Sequence, residues 1–165
     1  MECDRKSDWE LTNVRAKQFA GSKIQPVNQE HPMGCGVACV AFRCGVSYKK
    51  ALTFFENPSN AWTRGYYCEE IVAALAVENL RYSYSEFSSS QHAKWIVKPG
   101  TIVFQERGPE HPNGHFLVRS SQGWMNPWSN FPQMVPVKSC FQQKIRGKIE
   151  FIIFELGSDT GDSED

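Results

Sequence analysis

The chain lacks any stretch of about 18 consecutive apolar residues, so no membrane-spanning helix is expected. It also lacks net charge: 18 Lys plus Arg balance 18 Asp plus Glu. The last eight residues, SDTGDSED, hold acids and no base, which leaves only a small, scattered basic excess elsewhere. No basic block is interleaved with stacking aromatics, so neither nucleic acid nor membrane insertion is expected of the partners. The opening residues MECDRKSDWE are charged where a secretory signal would be apolar, which predicts a cytoplasmic chain, or one exported by another route, with reduced thiols. Internal repeats and long linkers are missing too. One domain over residues 1–157 is therefore expected, followed by an acidic disordered tail at 158–165.

What the chain does have is a core. Of its 165 residues 41% are hydrophobic, with five Trp, five Tyr and eleven Phe, enough to fold as a single globular domain. Ser7, Glu10 three residues on and Gly21 bracket a first helix. CGVACVAFRCG, Cys35 to Gly45, predicts a second, too apolar to lie on the surface and so central. Ser47 can cap a short helix running to Phe55, and CEEIVAALAVENL, with acids in its first turn, predicts another. The second half changes character. LRYSYSEF, GTIVFQER, GHFLVRS and KIEFIIFEL predict strands. In the last, Ile149, Phe151 and Ile153 should share one face, with Ile152 and Phe154 on the other. Helices first and strands afterwards predict an α+β domain with segregated layers.

Chemistry concentrates at HPMGCGVACV. Cys35 lies where a loop becomes a helix, and unpaired N–H groups there favour a thiolate and can face a developing oxyanion. Gly34 and Gly36 leave room for a substrate backbone. Cys39 and Cys44, deeper in the same helix, read as small buried hydrophobes. Among the four histidines, His115 alone follows a turn and opens an apolar strand, which makes it the candidate base. His31 and His111 each precede a proline in a loop, and His92 lies in a polar stretch. If HFLVRSS and WMNPW form a hairpin around SSQG, Asn126 returns beside His115 and can orient its imidazole. Trp62, Trp95, Trp124 and Trp128 are candidates for lining a cleft, with the core as the commoner place for each.

Gln29, six residues before Cys35, then CGVAC, GHFLV and an Asn-Pro after a short turn resemble, in order, the papain-like cysteine peptidases that cleave double-glycine leader peptides from bacteriocins. TRGYYCEEIVAALAVENLRYSYSEF resembles that family's middle section, where a glycine precedes a helix leading to the first strand, and KPGTIVFQ resembles its strand before the histidine. The resemblance spans about residues 25 to 135. It implies a papain-like fold, with the Cys35 helix packed on an antiparallel sheet that carries His115 and Asn126. It also implies a cysteine peptidase or related thiol hydrolase acting on a peptide or protein substrate through a thioester. Gln29 would be an oxyanion donor, and no cofactor or metal would be needed. Three departures stand out: Asn126 replaces the Asp of the leader peptidases, Gly34 replaces the usual acidic residue before the nucleophile, and RGPEHPNG lengthens the loop before His115.

Three other readings compete. The same site could transfer the acyl group to an amine or deamidate side-chain amides. It could be a catalytically silent peptide-binding module. Or Cys35 and Cys39 with His111 and His115 could hold a structural Zn²⁺, although Pro112 and Gly114 prevent the two histidines from sharing a helix face.

Overall fold

The apolar run after Gly34 becomes the central helix α1 (Cys35–Cys44), closed at Gly45, whose left-handed conformation (φ 65°) returns its own N–H to the Ala41 and Phe42 carbonyls. In the computed structural model, which describes residues 24–157, Val37, Ala38, Cys39, Val40 and Ala41 are wholly enclosed. A helix that is apolar all round needs cover on every side. It obtains that cover from α2 (Tyr48–Leu52) and α3 (Cys68–Val77) and from one face of a sheet. The helix predicted from Ser7 to Gly21 and the acidic tail at 158–165 lie outside the described residues.

Ser47 caps α2 as expected, accepting from the Lys50 N–H. The helix stops at Leu52 rather than Phe55 because the N–H groups of Thr53, Phe54 and Phe55 all turn back to carbonyls three residues earlier, tightening the chain into turns. α3 opens with Glu70 accepting from the Tyr67 N–H at 2.7 Å while Arg64 clamps the same carboxylate through Nη1 and Nη2.

The second half folds into six strands: β1 (Tyr82–Glu86), β2 (Ile102–Gln105), β3 (His115–Ser120), β4 (Gly123–Asn126), β5 (Cys140–Gln142) and β6 (Ile149–Glu155). Their order in the sheet is β1-β6-β2-β3-β4-β5, every neighbouring pair antiparallel. The domain is α+β, helices and antiparallel sheet, as the order of the sequence patterns predicts.

Alternate residues of the strands divide between the two faces. Ile102, Phe116, Val118, Met125 and Ile153 join the helices in the main core. Val103, Leu117, Trp124 and Ile152 point the other way, into a smaller cluster covered by Phe87, Phe154 and the short helix α4 (Ala93–Ile96). Ile149 also belongs to this second cluster, contrary to the simple alternation predicted for β6. The register explains it: Phe104 faces Phe151 but Gln105 faces Ile149, so Glu150 is an extra residue on β6. A bulge of this kind moves every residue beyond it to the opposite face.

The far end of α1 is tied to the sheet by polar contacts. Arg43 Nε donates to the Tyr82 hydroxyl at 2.7 Å and Nη2 reaches Glu155 at 3.2 Å, while Tyr82 donates onward to the Gly100 carbonyl.

Candidate active site

Cys35 is the first residue of α1, and no side chain caps the helix there. Gly34 at the N-cap position offers none, so the N–H groups of the first turn are left to the sulfur and to whatever approaches it. Both flanking glycines have a packing reason that sequence reasoning assigned to substrate. A Cβ at Gly34 would clash with the Tyr48 hydroxyl, and one at Gly36 would meet Ile71 at 3.0 Å and Phe116 at 3.5 Å. They let the start of α1 seat against α2, α3 and β3.

His115 opens β3 and is buried, as is Asn126 at the end of β4. The predicted hairpin forms, with Ser120 opposite Gly123 across a two-residue turn. His115 Nε2 lies 2.8 Å from Asn126 Oδ1. The Trp128 backbone N–H, which can only donate, points at the same Oδ1 from 3.0 Å, and Asn126 Nδ2 donates to Gln142 Oε1 at 3.0 Å. These partners fix which end of the carboxamide is oxygen. The Nε2 of His115 therefore carries the hydrogen, and in the neutral ring Nδ1 is left with the free lone pair. Asn126 thus holds the imidazole in the tautomer that a base needs.

Cys35, His115 and Gln29 line one small cavity of about 40 Å³ together with Trp128 and His111. Gln29 is buried and tied to the Asn126 segment by its N–H to the Pro127 carbonyl. Its side-chain nitrogen donates to the His31 and Pro32 carbonyls at 3.0 and 3.2 Å, and its Oε1 has no partner. Both amide hydrogens are committed, so the oxyanion-donor role expected of Gln29 requires one of those bonds to be given up. The donors already free of such duty are the N–H groups at the sulfur.

The electrostatics differ from the sequence expectation of a depressed thiol pKa. Burial pushes the Cys35 thiol up, outweighing the backbone N–H groups of Phe116, Gly36 and Cys35 itself, which pull it down. Burial, with His111 adding to it, holds His115 down to about 3 against the opposing pull of the Asn126 hydrogen bond. The pair therefore rests as thiol and neutral imidazole rather than as an ion pair.

On another side of Cys35 lies a cleft of about 500 Å³ that reaches Arg64, Tyr66, Tyr67, Glu106 and Phe151. It shares Tyr66, Tyr67, Phe104, Phe116 and Phe151 with an apolar cavity of about 300 Å³. Of the four tryptophans considered, Trp128 reaches the small cavity. Trp124 and Trp95 pack behind the sheet, and Trp62 is exposed over the His31 ring.

The other thiols and imidazoles are elsewhere. Cys39 and Cys44 are buried in the core, as expected, and all five described cysteines are free. His92 is held by Ser85 and Ser88 behind the sheet, and His31 by Tyr48. Cys35, Cys39, His111 and His115 do not form a metal set: His115 Nε2 is engaged by Asn126, Cys39 is enclosed, and among the described residues no three His, Cys, Asp or Glu side chains are grouped to hold an ion. Sequence reasoning missed Gln142, on a three-residue strand with no periodicity to reveal it, and gave His111 only a place in the alternative zinc set. No helix among the described residues is long and apolar enough to cross a membrane. No protein-family model matches the chain, and no curated protein matches it.

Proposed function

We propose that the chain is a papain-like thiol hydrolase that cleaves a peptide or isopeptide bond through a covalent thioester on Cys35. One observation carries the reading: Asn126, its oxygen fixed by the Trp128 N–H, holds His115 with Nδ1 free as a base in the cavity that also holds Cys35 at an uncapped helix start.

From a thiol and a neutral imidazole the steps balance. As Sγ attacks the substrate carbonyl carbon, the thiol proton passes to His115 Nδ1, and the carbonyl oxygen becomes an oxyanion opposite the first N–H groups of α1. Collapse breaks the C–N bond, and the new imidazolium returns its proton to the departing nitrogen. A water then attacks the thioester with His115 again as base, releasing the carboxylic acid and the thiol. The retained acyl segment has room in the large cleft beside Cys35, where the shared aromatic wall suits an apolar side chain.

The test is mass spectrometry of the intact protein after brief exposure to a peptide library at mildly acidic quench. Acyl adducts on Cys35 that are lost in Cys35→Ala support the reading. Products carrying a free acid identify water as acceptor, and products joined to an added amine identify transfer. Absence of any Cys35 adduct across libraries that span apolar and charged side chains overturns it.

A further inference from the structure

Four residues before the candidate base, at the end of the lengthened loop, His111 is buried with its ring laid flat on that of His115: centroids 3.8 Å apart, planes within 4°. The loop is shaped to put it there. Gly108 and Gly114 both donate their N–H to the His111 carbonyl, at 3.1 and 3.0 Å, closing a turn on each side of it. Gly114 has φ +76°, and a Cβ there would run into the Phe104 ring, so only glycine permits the approach. Phe131 packs against His111 from 5.3 Å, and Trp128 packs in turn against Phe131.

We propose that His111 is a positioning residue for His115, holding the plane of the imidazole that Asn126 by itself fixes only in direction. The hydrogen bond from Nε2 to Asn126 holds one point of the ring, and rocking about the Cβ–Cγ bond displaces Nδ1 further than it displaces Nε2. A flat neighbour in van der Waals contact removes that freedom and shields one face of the base from water. A catalytic group must sit within a fraction of an ångström of its working geometry.

The stack has a second consequence. While neutral, the His111 ring presents its π face to the imidazolium that forms when His115 takes the thiol proton, an attractive arrangement. Once protonated, it is a like charge in contact with that imidazolium. The charged and titratable groups acting on this pair are each other, the Cys35 thiol that shares their cavity, and Glu110, whose carboxylate favours a charged His111 and is itself shared with Arg146 at 3.6 Å. The other rings around it, Phe131 and Trp128, carry no charge. Base function therefore requires His111 to be neutral, and reactivity of Cys35 falls with acid in two proton steps rather than one.

This inference rests on the reading of Cys35 and His115 as nucleophile and base, but its test does not need a substrate. Ring-nitrogen NMR of selectively ¹⁵N-labelled histidine reads the His115 tautomer, and alkylation of Cys35 by iodoacetamide against pH reads the base. His111→Phe keeps a flat neutral ring. It should retain the Nε2–H tautomer and a Cys35 rate within about twofold at pH 8, while the acid limb drops from two protons to one. His111→Ala should keep the Nε2–H tautomer that Asn126 fixes but slow Cys35 by about tenfold or more. Should the alanine variant fail to fold, the change of acid limb in His111→Phe decides. A wild-type Cys35 rate in His111→Ala, or an unchanged two-proton limb in His111→Phe, overturns the proposal. A loss of Cys35 rate in His111→Ala, in a protein whose wild type forms no acyl adduct with any peptide, leaves this proposal standing and removes the hydrolase reading instead.

Discussion

The two ends of α1 are built to opposite rules. At the C-terminal end everything polar is paired: Gly45 closes the last carbonyls, and Arg43, Tyr82, Glu155 and the Gly100 carbonyl form one connected chain. At the N-terminal end the helix is uncapped, the thiol is half-buried among unshared N–H groups, and the nearby Gln29 keeps a buried oxygen without a partner. Unsatisfied groups cost stability, and a protein tolerates them where a ligand or reaction is to use them. The closed end holds the helix against the sheet so that the open end can be held to tolerance.

The largest break in this comparison comes from removing the base. His115→Ala should lower turnover by about 10²–10⁴-fold while the denaturant midpoint changes far less in proportion, as measured by steady-state kinetics beside urea unfolding. Arg43→Ala, at the closed end, should do the reverse. It should cost about 1.5–3 kcal/mol of stability, read as a lower urea midpoint, and leave the alkylation rate of Cys35 unchanged.

Asn126→Asp sharpens the comparison by changing charge without changing shape. A carboxylate beside Nε2 stabilises the imidazolium, so the His115 pKa should rise and the acid limb of Cys35 reactivity should move to higher pH. The substitution also removes the donor that Gln142 Oε1 now accepts from, so Gln142 must turn its amide round to donate instead.

Burial of neutral histidines makes stability itself depend on pH. Because the folded value of His115 is held near 3, below its unfolded value, its contribution is fully present above the unfolded pKa of about 6.5 and is lost as pH falls from there towards 3. His111 is lowered too and acts in the same sense. Urea midpoints measured between pH 7 and pH 4 should fall more steeply in the wild type than in His115→Gln. The smallest effect should come from Ser47→Ala, which removes the cap of α2 at a cost of about 1 kcal/mol and touches neither end of α1, again read from the urea midpoint.

Much of this was legible in the sequence because it is carried by local pattern. The apolar run closed by Gly45, the Ser47 cap, the two-residue hairpin and the order of helices before strands all state their structure within a few residues. What escaped depends on partners distant in the chain. β5 has three residues and α4 four, lengths at which tertiary contacts rather than propensity decide. The bulge at Glu150 reverses the side on which Ile149 packs, and nothing in an alternating run announces an inserted residue. Cys35, His115, Asn126 and Gln29 were recognisable as residue types in order, and the structure brings them together. The direction of the Gln29 amide and the stacking of His111 were not, since each is set by irregular loop geometry within two to four residues that no periodicity encodes, and the packing role of Gly34 is set by the Tyr48 hydroxyl from α2.

Iodoacetamide labelling followed by peptide mapping reads whether His115 is the base for Cys35. Among the described cysteines, Cys39 and Cys44 are enclosed and burial pushes Cys68 up to about 12, which leaves Cys140 as the other half-buried thiol and the natural internal control. In His115→Ala the Cys35 rate should fall at least about tenfold while that of Cys140 stays the same. A Cys35 rate indifferent to the loss of His115, or a fall shared equally by Cys140, shows that His115 is not its base.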